Sequence, residues 1–286
     1  MMKDDARWTV VTGSTGGIAS EIVRILARRG DDLILVNRTK ATGDAQRAEL
    51  LAGNSRLMVE VVTADFMDTN DIVAAIDTIT AIPGRLDTLY NNAGVLNSSK
   101  ILSEQGFESN YAVNTLAPYQ LIRGLRPKMA RSANERPAMV VNFASSAVNQ
   151  QKALNLSNLV NPKEVTGLMG TYAQTKLAIT ALTASLAEEL TSDNILIRAV
   201  DPGATKTAMT TNNSSMPRLL QWLAPLFFSP ADKQAAKVVE SADPLALGRR
   251  SGILVSNLRE RRLPKPASNP EVWRDLVALL DRSLRA

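Results

Sequence analysis

Residues 8–30 read WTVVTGSTGGIASEIVRILARRG. A short β-branched run enters a glycine-rich turn, and the turn opens straight into a helical pattern. Ile18, Ile22, Ile25 and Leu26 fall on one stripe of that helix, and Gly30 supplies a stop. Strand, glycine turn and helix N-terminus in this order make the context that cradles a phosphate. Gly13 permits the tight turn, and Gly17 lets the backbone approach a pyrophosphate whose charge meets the helix N-terminus. The plainer alternative is a glycine-rich turn with no ligand. The spacing is Thr12-Gly13-x-x-x-Gly17-Ile18-Ala19 rather than G-x-G-x-x-G.

The alternation continues along the chain. Residues 8–11, 33–36, 57–62, 86–90, 138–143, 195–200 and 252–255 read as strands, several of them nearly continuous apolar runs that imply burial on both faces. Helical patterns fit 41–52, 68–81, 105–131 and 169–191. Ser229 as N-cap with Pro230 opens another helix to about 241, and Asn269–Pro270 opens a last one with Leu276, Leu279 and Leu280 on one face. Alternating β and α predicts an α/β fold, a Rossmann-type doubly wound parallel sheet. With no repeat, linker or composition break, residues 1–286 read as a single domain. Segments 146–168 and 204–228 exceed ordinary connections and read as substrate loops.

Composition narrows the chemistry. The 286 residues contain no histidine and no cysteine, which removes Ser-His-Asp machinery, cysteine catalysis, disulfides and zinc–thiolate sites. No metal is expected, and the absence of cysteine fits a reducing cytoplasm. A net charge of +5, from 33 basic and 28 acidic residues, suits anionic ligands but is too small and dispersed for nucleic acid. The basic stretch 249–262 reads as a solvated surface near a strand. The N-terminus enters a strand almost at once, leaving no room for a signal peptide, and LLQWLAPLFF at 219–228 is too short to span a bilayer.

Residues 170–178, GTYAQTKLA, place Tyr172 four residues before Lys176, on one face of a helix. Tyr119 and Arg123 share that offset, so the pair alone decides little. Its company decides more. In chain order stand TGSTGGIA (12–19), AD (64–65), NNAG (91–94), YAVN ending at Asn114, VVNFASS (140–146), YAQTK (172–176) and DPGATKT (201–207). Together they resemble the short-chain dehydrogenase/reductase family along most of the chain. The departure is Ala19, where that family usually has a third glycine. The 26 residues from Ser146 to Tyr172 (172 − 146) are about twice the short spacing common in the family, which looks like its retinol-dehydrogenase-like branch; LNLSNL (154–159) stands where that branch carries an extra loop.

The resemblance implies roles. Tyr172 is the acid/base, Lys176 its electrostatic partner, Asn114 the helix-kinking catalytic asparagine, and a serine holds the substrate oxygen. Ser145 and Ser146 are adjacent, and the second of such a pair, Ser146, is taken as catalytic. Using Tyr172 as a base at neutral pH requires its pKa to fall by about three from 10, roughly 4 kcal/mol, and a lysine about 4 Å away supplies that much at an effective dielectric of about 20. The cofactor contacts implied are Gly13, Ser14, Thr15, Gly17, Ile18, Asn37, Arg38, Asp65 against the adenine, Asn92, Ala93, Gly94, Tyr172, Lys176, and Pro202, Gly203, Thr205 and Thr207 against the nicotinamide carboxamide.

A basic residue after the second strand accommodates a 2′-phosphate, so Arg38, with Lys40 nearby, favours NADP(H), with NAD(H) open; an Arg38 facing only solvent is the alternative. Leu154, Leu156, Leu159, Val160, Leu168 and Met169, with the apolar residues of 208–228, either line a pocket for a lipophilic small molecule or belong to the core. Lys206 and Arg218 leave a carboxylated substrate open. The expected activity is NADP(H)-dependent interconversion of a carbonyl and an alcohol. A catalytically silent regulator or scaffold on the same fold is the rival. The helices at 105–131 and 169–191 are the family's usual dimer surface, which implies a homo-oligomer, dimer or tetramer.

Overall fold

Strand β2 (Asp32–Asn37) shows how the layers arise. Leu33 and Leu35 enter one apolar cluster while Ile34 and Val36 enter the other, because successive side chains point to opposite faces. Strand β5 (Ala138–Phe143) does the same, with Met139 and Val141 on the first side and Ala138 and Val140 on the second. The unbroken apolar runs are therefore sheet strands covered on both faces.

The computed structural model describes residues 6–130, 136–203 and 229–285. The remaining strands are β1 (Arg7–Thr12), β3 (Val59–Thr63), β4 (Arg85–Asn91), β6 (Ile195–Asp201), β7 (Ile253–Ser256) and β8 (Arg259–Arg261). They form one eight-stranded sheet in the order β3-β2-β1-β4-β5-β6-β7-β8, parallel except for the antiparallel β7–β8 pair. Strand order reverses between β1 and β4, which opens a crevice beyond their C-terminal ends.

One face carries α1 (Gly17–Arg29), α2 (Lys40–Gly53) and α8 (Ala231–Ser241); the other carries α3 (Thr69–Ala81), α5 (Ala117–Met129), α6 (Ala173–Ser185) and α9 (Pro270–Ser283). Short α4 (Ser109–Tyr111) precedes α5, and α7 (Ala187–Ser192) follows α6. Gly30 ends α1 in the left-handed conformation at φ 84°, and the Asn269 side chain caps α9 by accepting the Glu271 N–H.

Several boundaries differ from the sequence pattern. The helix read over 105–131 begins at Ser109 and contains a π-turn, Ala112–Leu116. The helix read over 169–191 opens with a π-turn, Leu168–Tyr172, and breaks at Leu186 between α6 and α7. Ser229 is not an N-cap: Pro230 takes that place with an extended ψ of 142°, and its carbonyl accepts the Gln234 N–H. The basic stretch 249–262 contains the edge strand β8, whose exposed Arg259, Glu260 and Arg261 discourage further pairing of that edge.

Arg198, fully buried in β6, has no carboxylate on its guanidinium among the described residues. It donates instead to the carbonyls of Ser241, Asp243, Ala246 and Arg250 at 2.8–2.9 Å, closing the loop between α8 and β7. Among the described residues, no helix is long and apolar enough to cross a membrane.

Candidate active site

The glycine turn meets the end of β4 at the sheet's crevice. Gly13 has φ +62°, and a Cβ there would lie 3.1 Å from the Ala93 Cα, so both conformation and space require glycine. Asn92 Nδ2 donates to the Thr12 carbonyl at 3.0 Å, and the Ala93 N–H donates to Thr12 Oγ1 at 3.0 Å. Thr12, named in the motif but given no role there, thus sews the two strand ends together. Gly16 caps α1 with no side-chain acceptor, and no acidic residue stands in the first turn. The positive end of the helix, at Gly17 and Ile18, faces the crevice without an internal anion. Ala19 is fully buried in the core, so its extra methyl packs inward.

Two proposed cofactor contacts have other employment. The Ser14 hydroxyl is buried and hydrogen-bonded with Gln46 at 2.6 Å and with Asn37, whose Nδ2 donates to it at 2.8 Å. Asn37 is itself buried and braces the glycine turn through Ser14. Thr15 is exposed at the turn's tip and Arg38 is exposed at the end of β2. Lys40 is paired with Asp44 at 2.6 Å. Asp65 accepts the Met67 N–H at 2.9 Å at the start of the β3–α3 connection.

Asn114 sits inside the first π-turn, where the widened helix lets it reach the strand end. Its Oδ1 accepts the Val95 N–H at 2.8 Å, and its Nδ2 donates to the Val95 carbonyl and to Thr175 Oγ1. Gly94 lies beneath it: a Cβ there would be 3.1 Å from Asn114 Oδ1 and 3.6 Å from Lys176 Nζ. Lys176 is buried and donates to the Phe143 carbonyl at 2.8 Å. Its ammonium is 5.8 Å from the centre of the Tyr172 ring.

The titration of the pair differs from the sequence expectation. Burial pushes the Tyr172 phenol up to about 12; a hydrogen bond from Ser145 pulls it back and the Asp201 carboxylate adds to the rise. Burial likewise lowers Lys176 to about 8. The lysine does not pull the phenol down, because both groups are desolvated and the ammonium is engaged by a carbonyl. At neutral pH this leaves a protonated phenol beside a mostly protonated amine.

The serine assignment also changes. Ser145 is the serine whose side chain acts on the Tyr172 phenol, lowering its pKa. Ser146 is exposed, and its backbone N–H bonds the Asp201 carboxylate. Strand β5 ends at Phe143, and the chain turns into a 3-10 segment at Ser146–Gln150, so Ser146 leaves the site where an extended register would have carried it in. The neglected signal was the start of that turn. Ser145 is its N-cap, accepting the Ala147 N–H. Asp201, also unassigned from sequence, holds this turn and the Pro202–Gly203 segment, accepting the Gly203 N–H at 3.0 Å. Thr205 and Thr207 lie outside the described residues.

Of the apolar loop residues, Leu159 is buried and Leu154, Leu156 and Val160 pack on the core; Leu168 and Met169 stay exposed beside Tyr172. Segment 208–228 lies outside the described residues. The helices expected to carry a dimer contact are partly covered by α9, whose Leu276 and Leu280 are fully buried. Ser283 and Asp281 of α9 bond the hydroxyls of Tyr111 and Tyr119.

Comparison with known proteins gives a concordant result. Residues 7–218 match the family described as short chain dehydrogenase. Retinol dehydrogenase 12 of Mus musculus is 31% identical over 220 residues, 77% of this chain and 68% of that one. The Bos taurus protein of the same name is 32% identical over 200 residues, and the match spans only 62% of its length. Among solved structures, a blue fluorescent protein from a metagenomic library in complex with NADPH shares the fold at a TM-score of 0.69 and 23% identity, covering 89% of this chain and 97% of that one.

Proposed function

The chain belongs to the short-chain dehydrogenase family, and from that premise we propose that it interconverts a carbonyl and an alcohol with NADP(H). The observation that carries the reading is the cluster of Tyr172, Ser145 and Lys176 at the crevice, beside a glycine turn that tolerates no side chain at Gly13. The crevice fits a dinucleotide: the Gly13–Ala93 approach leaves room only for backbone, and the start of α1 offers N–H groups to a pyrophosphate. Gly13, Thr15, Gly17 and Ile18 would hold the phosphates, and Asp65 the adenine. Asn92, Ala93, Gly94, Pro202, Gly203, Thr205 and Thr207 would line the nicotinamide end. Lys176 would hold a ribose hydroxyl. Arg38, exposed at the end of β2, would meet a 2′-phosphate. When bound, the reduced nicotinamide supplies the hydride.

The protein's own part is the proton. A phenol held near 12 is protonated at neutral pH and can donate to a carbonyl oxygen as that oxygen gains charge. Ser145 orients the same oxygen and stabilises the phenolate left behind. Lys176, its ammonium mostly retained at pH 7, adds positive charge nearby. Asn114 keeps Gly94–Val95 in place rather than touching the substrate. Exposed Leu168 and Met169 beside Tyr172 support a lipophilic substrate. The test is NADPH consumption against aldehydes, ketones and quinones, with Tyr172→Phe alongside. Loss of the proton donor should cost at least about 10²–10⁴ in rate with cofactor affinity nearly intact. Activity within threefold of wild type would replace this reading with the silent regulator or scaffold.

A further inference from the structure

Two glutamines strap the serine turn to the tyrosine turn. Gln174 stands between Tyr172 and Lys176, and its side chain is spent on the segment that follows Ser145. Its Nε2 donates to Gln151 Oε1 at 2.6 Å and to the Ala153 carbonyl at 2.9 Å; its Oε1 accepts the Asn155 N–H at 2.8 Å. Gln151 in turn donates through Nε2 to the Met169 carbonyl at 2.9 Å, inside the π-turn that ends at Tyr172. The Gln151 N–H closes the 3-10 segment by bonding the Val148 carbonyl. The front of that segment is fixed separately: the Ala144 N–H bonds the Val200 carbonyl at 2.9 Å, and the Ser146 N–H bonds Asp201. Ser145 is thus held from β6 on one side and from Gln174 and Gln151 on the other.

We propose that Gln174, acting with Gln151, is a positioning residue that keeps the Ser145 hydroxyl on the Tyr172 phenol. This rests on the proposed reaction, in which those two hydroxyls act on one substrate oxygen. The tyrosine turn carries two glycines that admit no side chain. A Cβ at Gly170 would stand 1.8 Å from Thr166 Oγ1, and Gly167, at φ +64°, adopts a conformation that side chains resist.

Gln174→Met keeps the side chain's approximate volume and deletes its hydrogen bonds. With the best carbonyl substrate from the panel, it should lower kcat by about 10- to 100-fold, with KM and NADPH affinity within about threefold of wild type, as misplacement of a reacting group does. Because the effect runs through Ser145, the same change in a Ser145→Ala background should lower kcat less than about twofold. Where Gln174→Met melts too early to assay, Gln151→Ala on the same strap should give the same pattern. Equal losses in both backgrounds, or a raised KM at unchanged kcat, would overturn the proposal and leave Gln174 as a tether for the 151–160 segment. Tyr172→Phe separates the premises. An inactive Tyr172→Phe with a wild-type Gln174→Met defeats the strap alone, whereas an active Tyr172→Phe defeats both.

Discussion

Replacing Lys176 by methionine should make the free protein more stable while abolishing its turnover. Lys176 is 5% exposed, and its ammonium has the Phe143 carbonyl at 2.8 Å as hydrogen-bond partner. Burial takes its pKa from 10.5 to about 8. In the unfolded chain the same amine titrates near 10.5, so between about 8 and 10.5 the unfolded state binds more protons and stability rises with pH. Below about 8 the fold bears the whole penalty. At about 1.4 kcal/mol for each pH unit, that penalty is about 3 kcal/mol. Methionine removes it but leaves the Phe143 carbonyl without this donor, at about 1 kcal/mol. The net gain at pH 7 is about 2 kcal/mol, a rise in Tm of about 4 °C for a chain of this size. Denaturant and thermal unfolding of the cofactor-free proteins at pH 7 and pH 10 measure it. The difference between variant and wild type should shrink toward zero as pH approaches 10. The Tyr172 phenol, raised to about 12, weakens both proteins above pH 10 and cancels in the comparison. A destabilised Lys176→Met at pH 7, or a difference that ignores pH, would refute the argument that the ammonium is held at a cost.

Two further outcomes follow from the site. Ser145→Ala should lower kcat by about 10²-fold or more, as loss of a donor to a developing oxyanion does, while Ser146→Ala stays within about threefold of wild type; steady-state kinetics on both proteins checks the ranking, and the reverse order would return the role to Ser146. Wild type should favour NADPH over NADH by about 10- to 150-fold in kcat/KM, because charged hydrogen bonds contribute roughly 1.5–3 kcal/mol. Arg38→Leu should erase most of that preference, and added salt should weaken NADPH more than NADH; a wild-type preference for NADH, or an unchanged ratio in the variant, removes Arg38 from the cofactor site.

The site's component motifs were legible because each is local. Gly13 and Gly17 announce themselves by spacing, Asn114 by its YAVN setting, and Tyr172–Lys176 by one helical turn. What the sequence left undecided was set by contacts across the chain. Ser145 and Ser146 differ by one residue, and the choice depends on where β5 gives way to a 3-10 turn held by Asp201, 55 residues beyond Ser146 (201 − 146). Asn37 looked like a ribose reader from its place after β2, yet its amide is committed to Ser14 on a neighbouring segment.

The sequence alone determined the doubly wound sheet, since apolar runs of strand length between amphipathic helices have few other ways to bury both faces. It determined the reaction family through residue types at fixed local offsets. Charge states were decided only in three dimensions: the Tyr172–Lys176 spacing suggests a lowered phenol, and the fold raises it. Spacing specifies which groups are neighbours, but desolvation depends on everything packed around them. Around Tyr172 and Lys176 that packing comes from β5, β6 and the π-turns, segments far apart in the chain.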